Sequence, residues 1–207
     1  MENLKGKVEV GKNVTMGKDP LIGPYCVIGD DTVIGDNIVI NENVQIGNNV
    51  TIGDNVIIEK DCIIGSDTRI KDDVLIQSDT EIYECCTLYE NVTIGRDVII
   101  NANVEIHKKS QIYDRVYITD GTYIGENVKI FDRTQILGDC FIGSNSIIER
   151  DCVLGPHAHF DSNIKIGANC ELDNINVGNE ICINEYTEFH GFTNGTYTYI
   201  SSTKQDT

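Results

Sequence analysis

The sequence predicts an all-β solenoid in which every six residues supply one short strand and one corner, and three observations carry that reading. The first is the period. From Val10 to Leu172 an aliphatic or aromatic residue stands at every sixth position without insertion or deletion, and 22 of these 28 positions are Ile. Six fits neither the 3.6-residue turn of a helix nor the plain alternation of a flat sheet, so it marks a repeat whose units are buried by their neighbours. The second is a small side chain two residues before each large one, as at Val14, Cys26, Thr32, Val44, Cys62, Cys86, Val128, Cys140 and Cys152. Alternation puts both on one face of a short strand and leaves the residue between them outside. The third is a turn former one step further back, including Asn13, Asp31, Asn37, Asn43, Asn49, Asp61, Asp97, Asn127 and Asp151, with Gly often following the large aliphatic. These residue types tolerate the positive φ of a sharp corner.

This pattern resembles the hexapeptide-repeat family, whose members wind three hexads into each triangular coil of a left-handed parallel β-helix. The resemblance implies the handedness, which the spacing does not give and which runs against the usual right-handed crossover. It also implies about nine to ten coils, with residues 18 apart stacked at about 4.8 Å. The expected division is a β-helix over residues 1–184 and an irregular C-terminal tail over residues 185–207. A chain of 207 residues fits one such domain, because a solenoid grows by adding coils rather than by enlarging one core. A basic, apolar leader at Met1 and an apolar run near 18 residues are both lacking, which makes a cytoplasmic protein the expectation. With 16 Lys and Arg against 33 Asp and Glu, the net charge of -17 argues against nucleic acid and membrane surfaces as partners.

Six of the eight cysteines, Cys26, Cys62, Cys86, Cys140, Cys152 and Cys170, occupy the small inward slot, where free Cys serves as a small buried hydrophobe. Cys152 and Cys170 are expected to stack with parallel side-chain vectors, which disfavours a disulfide. Only Cys85 and Cys182 leave the pattern. No metal site is expected, since the His residues do not form a metal-ligand spacing.

The outward positions form columns. Leu21, Val39, Ile57 and Leu75 make an apolar ladder that turns polar at Thr93, Gln111 and Lys129, which a chain facing water rarely leaves uncovered. It reads as a subunit interface, and the resemblance implies a homotrimer. Tyr123, Phe141 and His159 stack outward in another column, either as an interface or as a ligand platform. Arg115 and Arg133, 18 apart, are expected at one corner, and with Lys165 they are candidates to meet an anionic group. In the central band the Gly after the aliphatic gives way to Tyr83, Tyr89, His107, Tyr113 and Phe131, which either cap the turns or line a groove.

Within the second half, IIERDCVLGPHAHF followed by IKIGANCELDNINVG resembles the acetyltransferase half of the bifunctional N-acetylglucosamine-1-phosphate uridylyltransferase and glucosamine-1-phosphate acetyltransferase, over roughly Ile118 to Asn184. The frame shortens by one residue between Leu172 and Val177, as in that enzyme. The resemblance implies an acyltransferase acting on an aminosugar or nucleotide sugar, with acetyl-CoA as the possible donor. Its catalytic positions are not matched: Asp173 stands where a substrate-binding Lys is implied, and Glu185 where the catalytic His is implied. A base must then come from elsewhere, with His190 first and His157 or His159 behind it. The alternative is a non-catalytic trimer that binds a small sugar, nucleotide or other anionic ligand at subunit clefts, or an interaction scaffold.

Overall fold

Each hexad forms its strand. The computed structural model describes residues 6–190 and 199–200, and within them almost every strand is two residues long, an outward residue followed by an inward aliphatic, as in Val27–Ile28, Val33–Ile34 and Val39–Ile40. Strands three hexads apart pair in parallel, Gln45 against Ile63 and Ile46 against Ile64, so the stacking interval is 18 residues. The chain winds about ten coils of a left-handed parallel β-helix. Three sheets form its faces. The first runs from Glu9–Val10 to Glu188–His190, with 11 strands, the second from Thr15–Met16 to Asn176–Val177, with 10, and the third from Leu21–Ile22 to Tyr199–Ile200, with 11. No helix among the described residues is long and apolar enough to cross a membrane.

The corners are where the sequence places them. Asn13, Asp31, Asn37, Asn43, Asn49, Asp61, Asp97, Asn127 and Asp151 all sit at positive φ, between 54° and 60°. Their side chains also join the coils: Asn13 Nδ2 donates to Asp31 Oδ1 at 2.9 Å, Asn43 Nδ2 to Asp61 Oδ1 at 2.8 Å, and Asn49 Nδ2 to Asp67 Oδ1 at 2.6 Å. The inward aliphatics from Ile28 to Leu172 make one continuous buried core. At the N-terminal end, Val10 and Met16 are exposed because no further described rung covers them.

The small slot does more than fill space. Thr32, Thr68 and Thr80 each donate from the hydroxyl to a corner carbonyl 15 residues on, those of Gly47, Tyr83 and Gly95, at 3.2, 3.1 and 2.8 Å. Cys26, Cys62, Cys86 and Cys152 do the same with the thiol toward Asn41, Gln77, Asn101 and Gly167, at 2.9 to 3.1 Å. Cys170 reaches Asn184, only 14 residues on, because the frame has lost one residue between them.

The expected boundary at residue 184 is not where the pairing stops. Glu188–His190 pairs with Glu171–Asp173, and Tyr199–Ile200 with Cys182–Ile183. The physical reason lies in the frame, which resumes after its shortening as Val177, Ile183 and Phe189. Thr187 fills the small slot of that last hexad and is 2% exposed.

Burial makes Cys62, Cys86 and Cys140 poor nucleophiles, lifting them to about 11. A hydrogen bond shared between Cys152 and Cys170 lifts Cys152 and holds Cys170 down, to about 7, so that what shields Cys170 is its burial, at 1% exposed. Titration of the native protein with a thiol reagent near pH 8 is expected to count two fast thiols, Cys85 and Cys182, the exposed ones. The other six should react only on unfolding, and a native count of six or more would contradict the register.

Candidate functional site

The candidate site lies on the second sheet, where five rings form one column. Tyr89 and His107 follow buried aliphatics at the corner, and Tyr123, Phe141 and His159 stand at outward strand positions. The ring centroids of successive members are 4.2, 4.6, 4.8 and 4.6 Å apart. Tyr123 and Phe141 are almost parallel, at 3°, and Phe141 and His159 at 9°. Parallel neighbours therefore cover both faces of Phe141, whereas Tyr123 is stacked on one face by Phe141 and met on the other by His107 at a 47° tilt. Burial in the column pushes the Tyr123 hydroxyl up from its ordinary value.

At the C-terminal end of the column, His159 meets Asp161, with Nε2 3.1 Å from Oδ1. The local geometry is simple. Phe160 points inward and is fully buried, so its two neighbours project outward from adjacent positions and their polar tips converge. Both side chains stay partly exposed, at 43% and 42%, which leaves the imidazole reachable from solvent. A carboxylate on one ring nitrogen orients the imidazole and leaves the other nitrogen free to accept a proton.

The other candidates lie elsewhere. Arg115 and Arg133 do share the corner leading into the first sheet, but each has its own carboxylate. Arg133 grips Asp151 with two bonds, Nε to Oδ1 at 2.6 Å and Nη2 to Oδ2 at 2.7 Å, and Arg115 lies 3.9 Å from Asp97. The Arg133 guanidinium holds Asp151 below the usual carboxylate range. These pairs staple successive coils and cancel the local charge. Lys165 is on the third sheet, in a shallow cleft of about 550 Å³ with Arg150, Glu149, Glu185 and Cys182. His157 occupies the corner into the second sheet, 3.7 Å from Asp139. His190 ends the last strand of the first sheet, its backbone in register with Asp173, and its side chain lies outside the described residues. Among the candidates whose side chains are described, Tyr123, Phe141 and His159 are the ones that come together in direct contact. Among the described residues no group of three or more His, Cys, Asp or Glu is placed to hold a metal ion.

Two features of this site escape a reading by 18-residue columns. Asp161 is one, because it stands at the slot usually held by Gly. The junction of His107 with Tyr123 is the other, at a separation of 16 residues, where a corner side chain folds back over the strand face of the next coil. Asn101 reaching the Tyr117 hydroxyl at 3.3 Å repeats that 16-residue geometry.

On the third sheet, Leu21 and Ile57 are 65% and 41% exposed, and Val39 and Leu75 are partly buried. Leu21 and Val39 line a cleft of about 590 Å³ rimmed by Glu42, Glu59 and Lys60.

His157 holds φ of 59° with a side chain 68% exposed, a conformation in which Asn is more at ease. His157→Asn is expected to stabilise the protein by about 0.5–1 kcal/mol, read as a higher midpoint of thermal unfolding. A lower midpoint would mean that the contact with Asp139 outweighs the corner strain.

Residues 13–48 and 43–78 match the family model described as bacterial transferase hexapeptide (six repeats). A search of curated proteins finds no match. Among solved structures, the chain is similar to the UDP-N-acetylglucosamine O-acyltransferase from Moraxella catarrhalis RH4, at 20% identity over 73% of this chain and 68% of that one, with a TM-score of 0.68. It is also similar to Arabidopsis UDP-N-acetylglucosamine acyltransferase, at 18% identity over 98% of this chain and 71% of that one, with a TM-score of 0.69. At these identities the likeness is one of fold. Repeat, corners, sheet register and structural likeness agree: the chain is built of six-residue units folded as a left-handed parallel β-helix, and its residues 13–78 match the hexapeptide transferase model.

Proposed function

We propose that this chain is an acyltransferase that moves an acyl group from an acyl- or acetyl-CoA thioester to an amine or hydroxyl of a sugar or nucleotide sugar, with His159 as its general base. The observation that carries the reading is the contact of His159 with Asp161 at 3.1 Å, on a reachable face of this fold. Asp161 accepts a hydrogen bond from Nε2–H, so that Nδ1 is free to take the proton of the attacking amine or hydroxyl. The nucleophile bonds to the thioester carbonyl carbon, the C–S bond breaks, and the imidazolium returns its proton to the leaving thiolate. Support comes from the fold likeness to UDP-N-acetylglucosamine acyltransferases, and from GPHA at Gly155–Ala158 with the shortened frame between Leu172 and Val177, which resemble the acetyltransferase half of the bifunctional enzyme. His159 takes the place of the unmatched position at Glu185.

The test is turnover of acetyl-CoA with a panel of aminosugars and nucleotide sugars. His159→Ala is expected to cut kcat by about 10² or more, and Asp161→Asn by about tenfold or more. A loss below threefold in His159→Ala, with the fold intact, removes His159 from the reaction. Asp173 and Glu185, acidic where the resemblance implies Lys and His, favour the second reading, a non-catalytic trimer that binds a small sugar or nucleotide. Wild-type protein that releases no CoA with any acceptor but binds one of them selects that reading.

In either case we propose a homotrimer that covers the ladder of Leu21, Val39, Ile57 and Leu75, since water is an unfavourable neighbour at about 25 cal/mol per Å² of apolar surface. The double change Ile57→Glu and Leu75→Glu should lower the mass seen by light scattering. An unchanged mass rejects this face as the interface.

A further inference from the structure

The third sheet has a notch the size of one missing side chain. Down the corner that closes this sheet, the residues after the buried aliphatics run Gln77, Gly95, Tyr113 and Phe131, one per coil. Tyr113 and Phe131 stack with centroids 4.5 Å apart and planes at 8°. Phe131 thus covers one face of the Tyr113 ring. Above the other face stands Gly95, which has no side chain to cover it. The next side chain in the column is Gln77, two coils away or about 9.6 Å. The space between them is a cavity of about 260 Å³ lined by Gln77, Thr93, Gly95, Gln111, Tyr113 and Asp114.

The notch is built rather than incidental. A Cβ at Gly95 would lie 2.7 Å from the Tyr113 carbonyl carbon and 2.7 Å from Asp114 Oδ1, so the opening is held at backbone level. The ring below is fixed as well, by Phe131 beneath it and by the Tyr113 hydroxyl donating to Gln111 Oε1 at 3.0 Å. The carboxylate at the rim is already engaged. Asp114 Oδ1 accepts the Arg96 backbone N–H at 2.9 Å, and Oδ2 lies 3.4 Å from Arg96 Nη2.

We propose that this notch binds one pyranose ring. An aromatic floor takes the C–H face of a sugar, and a ring centred between Gln77 and Tyr113 lies about 4.8 Å from each, close to the spacing at which Tyr113 already stacks on Phe131. The rim is made of the Gln77 and Gln111 amides and the Thr93 hydroxyl, groups that both donate and accept, as sugar hydroxyls do. With the one carboxylate paired, neither sign of ligand charge is favoured, which selects a neutral, hydroxyl-rich ring. The notch is on the third sheet, whereas His159 is on the second, so this proposal stands apart from the acyltransferase reading.

The test uses the full chain with tyrosine rings labelled for NMR, the Tyr113 signal being assigned by its absence in Tyr113→Phe. Methyl β-D-glucopyranoside should shift that signal in the wild type. Affinity is read separately by calorimetry, which needs no Tyr113 signal. Tyr113→Phe should keep the affinity within about twofold, because the ring face remains. Tyr113→Ala should weaken it about tenfold, and Gln77→Ala about threefold, so that the second variant decides if the first fails to fold. A glucoside titration that leaves the Tyr113 signal unmoved overturns the proposal, as does unchanged affinity in a folded Tyr113→Ala or Gln77→Ala. A shift with uridine but not with the glucoside overturns the choice of a pyranose.

Discussion

One backbone constraint governs this molecule: every corner of every coil places a residue in the left-handed region of φ. From Asn13 to Tyr186 the position recurs at six-residue intervals, broken only where the frame shortens before Asn174. Most L-residues resist that conformation, while Asn and Asp accept it at lower cost and Gly at none. The constraint explains the charge. Nine Asp sit at these corners, at positions 19, 31, 61, 67, 73, 79, 97, 139 and 151. Seven more, at 30, 36, 54, 72, 114, 120 and 132, use a side-chain oxygen to accept a corner N–H from the preceding coil. Those 16 are close to half of the chain's 33 acidic residues. Much of the net charge of -17 is thus the signature of corners rather than of a cationic ligand.

A second accounting problem comes with the corner. The parallel ladder satisfies the strand amides, but the carbonyl of the residue after each aliphatic turns away from it. At many coils the small slot holds Thr, Ser or Cys, whose hydroxyl or thiol donates to that carbonyl in the next coil, as with Thr80 to Gly95 and Ser110 to Gly125, both at 2.8 Å, though Thr122 in the same slot has no such partner. This is why Cys and Thr alternate freely with Val along the same inward column, although their polarities differ. A buried acceptor left unpaired is costly, and a small polar side chain offsets that cost without adding volume.

The fold was legible because its information is local. A six-residue frame, an Asn or Asp three residues before most of the aliphatics, and an inward small residue can each be checked at one position. The site was less legible because it depends on contacts between unlike slots. Tyr123, Phe141 and His159 share one column and were visible as such. Asp161 and His107 join them from the corner slot, and a comparison of like positions passes over a corner side chain that folds onto the strand face. The Arg115 and Arg133 corner shows the opposite failure. Stacking placed both correctly, but the neighbouring slots hold Asp97 and Asp151, and those partners turn a candidate anion site into a staple. Past the single-residue shortening the frame continues at Ile183 and Phe189, and a fixed six-residue count from Leu172 passes over it.

The two histidines of GPHAHF show how position on the coil separates a usable base from a corner residue. His157 hangs from a left-handed corner with its side chain 68% exposed, and a weak contact at 3.7 Å is all that restrains it. His159 is the last ring of a five-membered stack. Phe141 lies parallel to it at 4.6 Å and fixes the plane of the imidazole, while Asp161 at 3.1 Å fixes its rotation within that plane. An imidazole held in both respects gives up little further freedom when it takes a proton, which is the condition for a general base to act efficiently. The column therefore has a purpose beyond stacking: its packed faces add rigidity along the sheet, and that rigidity reaches the end ring, the member of the stack that carries a titratable group beside a carboxylate.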